Sequence, residues 1–106
     1  MWLKGAIRTP PFSAEARVEA GFLLRRLQGG ECLDMPQARS MPGVGARCLE
    51  LRVVDRGHRW RILVRVDADA IVILEVFDKK TQRTPMAVVE VCRRRLRAYD
   101  ALSRLG

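Results

Sequence analysis

The chain has 106 residues, of which 48% are hydrophobic, and its twenty lysines and arginines outnumber its twelve acidic residues to give a formal net charge of +8. This length suffices for one hydrophobic core and not for two, so we predict a single domain over residues 1–106. No apolar run approaches the ~20 residues that cross a bilayer, and the N-terminus lacks a signal-peptide pattern, so we expect a cytoplasmic protein without a membrane segment.

The cysteines and the charge surplus narrow the class of protein further. Cys32, Cys48 and Cys92 are odd in number and widely spaced. This spacing argues against a disulfide framework and against a zinc site, and it predicts small buried hydrophobic residues. A positive surplus of this size attracts polyanions, so we expect a nucleic acid or an acidic protein as the partner.

A helix is predicted near the N-terminus. Ser13 is a suitable N-cap, and apolar residues recur at helical spacing up to about Gln28, where Gly29 and Gly30 end the pattern. The prolines and glycines of residues 31–46 predict a loop. The predicted apolar stripe of the helix consists of Ala16, Ala20, Leu23, Leu24 and Leu27.

Three strands and a second helix follow. The segments RCLELRVVD and HRWRILVRV alternate apolar and polar residues, and short turns at Asp55-Arg56-Gly57 and Asp67-Ala68-Asp69 separate the strands. The third segment, AIVILEVF, is almost wholly apolar, which is typical of a strand in the middle of a sheet or covered on both faces. Thr84 then caps the second helix, and Pro85 opens it. The apolar stripe predicted for this helix consists of Val88, Val89, Cys92, Leu96, Tyr99 and Leu102.

These elements predict an α+β fold in which the N-terminal and C-terminal helices pack on one face of a small antiparallel β-sheet. Side-chain alternation then gathers basic residues on the opposite face. Glu50 and Glu75 are the chief acidic residues of that face and are placed to orient its arginines by pairing. The basic residues predicted there are Arg52, Arg59, Arg61 and Arg65.

The spacing of these arginines suits successive phosphates. Arg59 and Arg61 lie about 6 to 7 Å apart on one side of their strand, and the antiparallel neighbour brings Arg52 within reach. Guanidinium groups bind phosphate oxygens bidentately, whereas a lysine acts as a point charge. The alternative interpretation is an exposed face that merely solvates its arginines. Three further cations are predicted at the edge of the same sheet: Lys79, Lys80 and Arg83.

The segment FDKKTQRTP, residues 77–85, joins the third strand to the last helix. The run ILEVFDKKTQRTPMAVVEVCRRRLRAYD, with LELRV and WRILVRVD before it, resembles the RelE/HigB-type toxins of bacterial type II toxin-antitoxin modules, and within the RelE/ParE superfamily it is similar to the HigB-like branch. In that branch a strand ending in Phe runs into a Lys-Lys-Thr-x-Lys-Thr-Pro motif and then the last helix. The resemblance covers roughly residues 13–100. Relatives open with an N-terminal strand, for which only MWL is available here.

The resemblance implies a RelE-like fold and a ribosome-dependent mRNA endonuclease, an mRNA interferase. It also implies neutralisation by a helix-turn-helix antitoxin of the HigA type. The expected partners are therefore this antitoxin, the ribosome and mRNA, with operator DNA reached only through the antitoxin complex.

Such RNA cleavage needs no metal, because the RNA 2′-hydroxyl attacks its own adjacent phosphate once it is aligned and the phosphorane charge is neutralised. We therefore expect neither a metal ion nor another cofactor. We assign Arg52 and Arg61 to the scissile and neighbouring phosphates, and Lys79 and Lys80 to transition-state charge or proton transfer. A lysine that acts as a base needs a lowered pKa, and adjacent cations lower it.

Other side chains are candidates for contacts with RNA. His58, the only histidine, lies at a hairpin turn, where a solvated residue without a role is the alternative. Tyr99 shares the apolar stripe of the last helix, so a core residue with an exposed hydroxyl is its alternative. Trp60 shares the apolar side of its strand and is predicted in the core. The RNA-binding candidates are Arg59, Arg65, Arg83, His58 and Tyr99.

The sequence is compatible with two other functions. ParE-like toxins share the superfamily's fold and bind DNA gyrase, but they usually have two longer N-terminal helices and lack the Lys-Lys-Thr motif. The other alternative is a non-catalytic module that binds nucleic acid or an antitoxin through its cations. Its binding would weaken steeply with added salt.

Overall fold

The computed structural model describes residues 12–80 and 83–105. Four strands form one antiparallel sheet in the order β1-β2-β3-β4, and a helix lies at each end of the described chain. The predicted α+β class is confirmed. In chain order the elements are α1 (Ala14–Gln28), β1 (Ala38–Ser40), β2 (Cys48–Asp55), β3 (His58–Val66), β4 (Ile71–Asp78) and α2 (Met86–Leu105).

Helix α1 forms where its cap and its apolar spacing predict it. The Ser13 side chain accepts a hydrogen bond from the backbone N–H of Ala16 at 3.1 Å, which satisfies one of the free donors at the helix start. Leu24 is only partly buried. The other four residues of the predicted stripe are buried: Ala16, Ala20, Leu23 and Leu27.

The sheet is a meander with one strand that the sequence analysis missed. Arg56 and Gly57 form the two-residue turn between β2 and β3, and both have positive φ, 43° and 85°, as a type I′ hairpin turn requires. Strand β1 lies in the segment predicted as a loop and pairs with β2 over three residues only. It was missed because three residues between prolines are too few to show alternation.

Each helix covers its own face of the sheet. Leu51 and Ile62 pack in one cluster with α1, whereas Leu63 and Leu74 pack in a second cluster with α2. The prediction that both helices share one face is therefore wrong. The physical reason lies in β4, whose apolar residues point to both sides and need cover on both.

Strand β4 is an edge strand, yet its two faces are covered in this way. Helix α2 packs on the part of its face formed by Cys48, Leu63 and Leu74. The remaining part of that face holds Arg52 and Arg61. The basic face predicted from alternation thus shares its side of the sheet with α2.

Two smaller expectations need correction. Cys48 and Cys92 are buried as predicted, but Cys32 is exposed in the loop after α1. Leu102 is exposed, and so are its neighbours Ala101 and Ser103, so this end of α2 is not packed on the sheet. The N-terminal strand considered for MWL lies outside the described residues. Neither described helix is long and apolar enough to span a membrane.

Replacing Gly21 with alanine should raise the free energy of unfolding by about 0.5 to 1 kcal/mol, because alanine favours a helix interior. The added Cβ would meet only the flexible end of the Arg25 side chain, at 3.4 Å. Urea denaturation measures the change. Gly57→Ala is the contrasting variant and should destabilise by about 1 kcal/mol or more, since a Cβ is strained at its φ of +85°. Equal effects of the two substitutions would contradict this account.

Candidate functional site

A buried carboxylate lies at the centre of the basic part of the sheet. Glu50 of β2 is 0% exposed. Its Oε1 atom lies 3.5 Å from Arg61 Nε of β3 and 3.6 Å from Lys79 Nζ, just after β4. The hydroxyl of Thr84, before α2, donates to the other oxygen, Oε2. Three separate segments therefore converge on one side chain. We call the four residues Glu50, Arg61, Lys79 and Thr84 the Glu50 cluster.

Strand register accounts for the cations of this cluster. Glu50 and Arg52 are two residues apart on β2 and share a face, and Arg52 pairs directly with Arg61 of β3. Arg61 in turn pairs with Phe77 of β4. Lys79, two residues beyond Phe77, continues the pairing because its backbone N–H donates to Arg59 O at 2.8 Å.

A β-bulge decides which lysine reaches the cluster. Leu63 pairs with Glu75 and Val64 pairs with Ile73, so β4 carries one extra residue, Leu74, at this point. The extra residue reverses the alternation of side chains along the rest of β4. Lys79 consequently points to the face of Arg61, which simple alternation from the start of β4 would not predict.

The Glu50 cluster holds more positive than negative charge. Lys79 is 5% exposed and Arg61 is 8% exposed, so both cations are largely removed from water. Burial is the main cause that lowers the pKa of Lys79; Arg61 and Arg52 lower it further, while Glu50 opposes the shift. Burial likewise lowers the pKa of Arg61. An uneven balance of buried charge is typical of functional sites, although structural ion pairs show it too.

Several buried polar atoms of this region have no hydrogen-bond partner among the described residues. They are Glu50 Oε1, Arg61 Nε and Arg52 Nε. The contact between Glu50 and Arg61 is therefore an ion pair without hydrogen-bond geometry. Unsatisfied buried polar atoms are uncommon in folded proteins, so their concentration here marks a site that was not optimised for stability alone.

A groove gives access to this region from solvent. Arg52, Arg59 and Arg61 line it, together with Val54 of β2 and Glu19 of α1, and its volume is about 580 Å³. Arg59 is exposed and Arg52 is half-buried. The three arginines predicted to follow successive phosphates are thus brought together along one groove.

Two RNA-binding candidates lie elsewhere. The guanidinium of Arg65 donates two hydrogen bonds to Asp67 and two to Asp100, at 2.8 to 2.9 Å. These bonds, above all those to Asp100, raise its pKa. Tyr99 packs against the α2 cluster, with Arg65 Cζ 5.8 Å from its ring centroid. Both side chains therefore act within the fold and are not brought to the Glu50 cluster.

Lys80 and His58 form another group. His58 Nδ1 lies 2.6 Å from Asp78 Oδ2, and Lys80 Nζ lies 3.3 Å from the same oxygen. The His58 ring stacks on Trp60, which is buried on the α1 side of the sheet as predicted. Because successive residues of an extended chain point to opposite faces, the adjacent residue Lys79 is separated from this group.

The structure therefore divides the four residues that the sequence analysis assigned to catalysis. Arg52, Arg61 and Lys79 come together, whereas the exposed Lys80 does not join them. Arg83 is exposed beside Thr84 and lines a second groove of about 310 Å³ with Arg39.

Sequence reasoning gave Thr84 and Glu50 smaller roles than the structure does. Thr84 was predicted as the helix N-cap, but α2 begins at Met86 and the Thr84 hydroxyl donates to Glu50 instead. Glu50 was expected to orient arginines, which it does for Arg61. The signal for this role was an acidic residue that lies between cations in the sequence, in a strand predicted to be partly buried.

Comparison with protein families gave a match over most of the chain. The model of the family described as phage-derived protein Gp49-like (DUF891) matches residues 11–97, most of the chain. Searches of curated proteins and of solved structures gave no match.

Glu50→Gln should lower the free energy of unfolding by about 3 kcal/mol, because it leaves two buried cations without their shared counter-charge. Lys79→Met should cost only about 1 kcal/mol or less, since Glu50 keeps Arg61 and Thr84 as partners. Urea denaturation of both variants at neutral pH measures the difference. A larger loss for Lys79→Met than for Glu50→Gln would contradict the charge balance described here.

The stability of the fold should also depend on the ionisation of Asp78. Hydrogen bonds from His58 and from the Arg59 backbone lower its pKa from 3.8 to about 2. A carboxyl group whose pKa is lowered by folding stabilises the fold above its unfolded pKa, and this contribution is lost as the pH falls from about 4 to about 2.

The free energy of unfolding should therefore fall less steeply in Asp78→Asn than in the wild type over that range, as measured by urea denaturation between about pH 5 and about pH 2. Asp69→Asn removes a carboxylate from the turn between β3 and β4 and is the matched control for the change in net charge. Equal slopes in the wild type and in Asp78→Asn would refute the assignment.

Proposed function

This chain belongs to the phage-derived Gp49-like family, a RelE/HigB-like toxin-type family of toxin-antitoxin systems, and from that premise we propose that it is a ribosome-dependent mRNA endonuclease. A toxin of this type implies an antitoxin partner. In the proposal this partner is a helix-turn-helix protein of the HigA type, which carries the complex to operator DNA. The chain's resemblance to the HigB-like branch supports this choice.

The observation that carries the proposal is the grouping of buried and accessible cations. Arg61 and Lys79 are buried around Glu50, and Arg61 also lines an open groove together with Arg52 and Arg59. Charges held in a partly dry site act more strongly on a developing negative charge than charges in water, and they need no reorganisation during the reaction. Such a group of cations suits a phosphorane, which carries negative charge.

The proposed reaction is a transesterification within the RNA. The 2′-oxygen forms a bond to the adjacent phosphorus while the bond from phosphorus to the 5′-oxygen breaks. The proton of the 2′-hydroxyl passes to solvent, and the departing 5′-oxygen receives a proton from the enzyme. The products are a 2′,3′-cyclic phosphate and a 5′-hydroxyl end.

Each cation has a role in this reaction. Arg52 and Arg59 bind the scissile phosphate and its neighbour, because they are the accessible guanidinium groups of the groove. Lys79 donates the proton, since a lysine with a lowered pKa releases it more readily than an ordinary lysine. Arg61 contributes further positive charge to the site.

Other cations extend the RNA-binding surface. Arg83 is exposed beside Thr84 and is assigned to a flanking phosphate. Lys80 is exposed near the end of β4, beside the pair formed by His58 and Asp78, so both Lys80 and His58 are assigned to RNA beyond the cleavage site. Arg65 and Tyr99 are left out of the proposed interface because each is engaged within the fold.

The test uses the purified chain in a translating extract with a reporter mRNA. We expect cleavage within codons, and fragments whose upstream parts end in a 2′,3′-cyclic phosphate. Arg52→Ala and Lys79→Met should each slow cleavage by on the order of 100-fold or more. Arg97→Ala removes an exposed cation of α2 and is the matched control, which should cut at the wild-type rate.

Two results would refute the proposal. Cleavage that is unchanged in both Arg52→Ala and Lys79→Met would remove the proposed site. Intact mRNA with wild-type protein, combined with inhibition of gyrase in a supercoiling assay, would replace the nuclease with a gyrase inhibitor.

A further inference from the structure

We propose that Glu50 is a positioning residue that holds the Lys79 ammonium beside the Arg61 guanidinium, which lines the groove, and keeps Lys79 positively charged while RNA is cleaved. This inference rests on the proposed function, since it assigns to Glu50 the control of that same site. It concerns a residue that does not itself touch RNA.

The burial of Glu50 excludes direct contact with a substrate in this conformation. The side chain is 0% exposed, and both carboxylate oxygens face groups of the protein. A general base has to come within hydrogen-bond reach of the proton that it removes. Glu50 therefore acts through the side chains that surround it.

A purely structural ion pair is the simplest alternative, and the energetics argue against it. A buried charge costs several kcal/mol of desolvation, and apolar residues of similar volume often stabilise a fold as well or better. Here one carboxylate serves two buried cations, and the half-buried Arg52 lies next to them, so positive charge remains in excess. Stability alone does not call for such an excess, whereas a site for polyanions does.

The contact with Thr84 adds a positional element. It joins residues that are 34 positions apart in the chain and fixes the segment before α2 against the centre of the sheet. That segment carries Arg83, and α2 begins two residues after Thr84. One carboxylate thus locates Lys79, Arg61 and the start of α2 relative to one another.

The charge of Glu50 determines how strongly Lys79 holds its proton. The charged groups that face Lys79 are Glu50 and Arg52 from β2 and Arg61 from β3, while Thr84 before α2 is neutral. Only Glu50 among these raises the pKa of Lys79; burial and both arginines lower it. Without the carboxylate, Lys79 loses its proton at a lower pH, and the proposed proton donor is neutral over more of the physiological range.

The experiment follows the pH dependence in three variants. Glu50→Gln removes the charge, Glu50→Asp keeps it but moves it away from Lys79 by one methylene group, and Thr84→Val removes the hydroxyl contact and leaves the charge. Cleavage by translating ribosomes is measured between about pH 6 and pH 9, and the titration of the Lys79 ammonium is followed by NMR of ¹⁵N-labelled lysine, with Lys79→Met to assign the signal.

We expect the alkaline limb of the rate profile and the titration of Lys79 to move together to lower pH, by about one unit or more in Glu50→Gln and by less in Glu50→Asp. Thr84→Val should lower kcat and leave both midpoints in place, because this substitution removes no charged group. If Glu50→Gln does not fold, the comparison of Glu50→Asp with Thr84→Val still separates charge from position.

The possible failures are distinguishable. A Lys79 midpoint that is the same in the wild type and in a folded Glu50 variant overturns the inference, even where the rate falls, because a merely structural role lowers the rate at every pH. Wild-type protein that leaves mRNA intact refutes the proposed function; the NMR titration then still decides whether Glu50 controls the charge of Lys79.

Discussion

The burial of one carboxylate among cations constrains the rest of this structure. Glu50 has no water to solvate it, so the fold has to supply its counter-charges from other segments: Arg61 from β3, Lys79 from the end of β4 and the hydroxyl of Thr84 from the start of the last helix. A buried charge is tolerated only with such partners. The sheet register and the path into α2 therefore have to agree at this point.

The two helices divide the molecule into parts with different tasks. On the α1 side the sheet is apolar, with Trp60 and Ile62 in the core, and the contacts there serve stability. On the α2 side the apolar contacts occupy one part of the face only, and the charged residues occupy the other. Glu50, Arg52 and Arg61 of this site lie on neighbouring strands, which favours precise spacing of their charges.

Local chemistry predicted the local features of this fold well. The Ser13 cap, the stripe of α1 and the turn at Arg56 and Gly57 all follow from residues close together in the sequence. The shared face of Arg52 and Arg61 followed from alternation within regular strands. These features need no knowledge of distant packing.

The failures that concern the helices and the site depend on tertiary context. The face of the sheet that each helix covers depends on which side chains of the strands are buried. Because β4 has apolar residues on both sides, its sequence does not determine this face. Arg65 was predicted to bind RNA because the sequence does not reveal that it pairs with Asp100, 35 residues away. Adjacent residues of an extended chain point to opposite faces, so Lys79 and Lys80 do not both reach Glu50, and the bulge in β4, which the sequence does not reveal, decides that Lys79 does.

The bulge at Leu74 also decides which charge meets the buried carboxylate. If β4 paired with β3 without its extra residue, every residue after Leu74 would move one position along the partner strand, and Asp78 would take the place of Lys79 opposite Arg59. Glu50 would then face a second acid instead of an ammonium group, and His58 would lose Asp78 as its partner. A single inserted residue thus keeps two acids on opposite faces of the sheet.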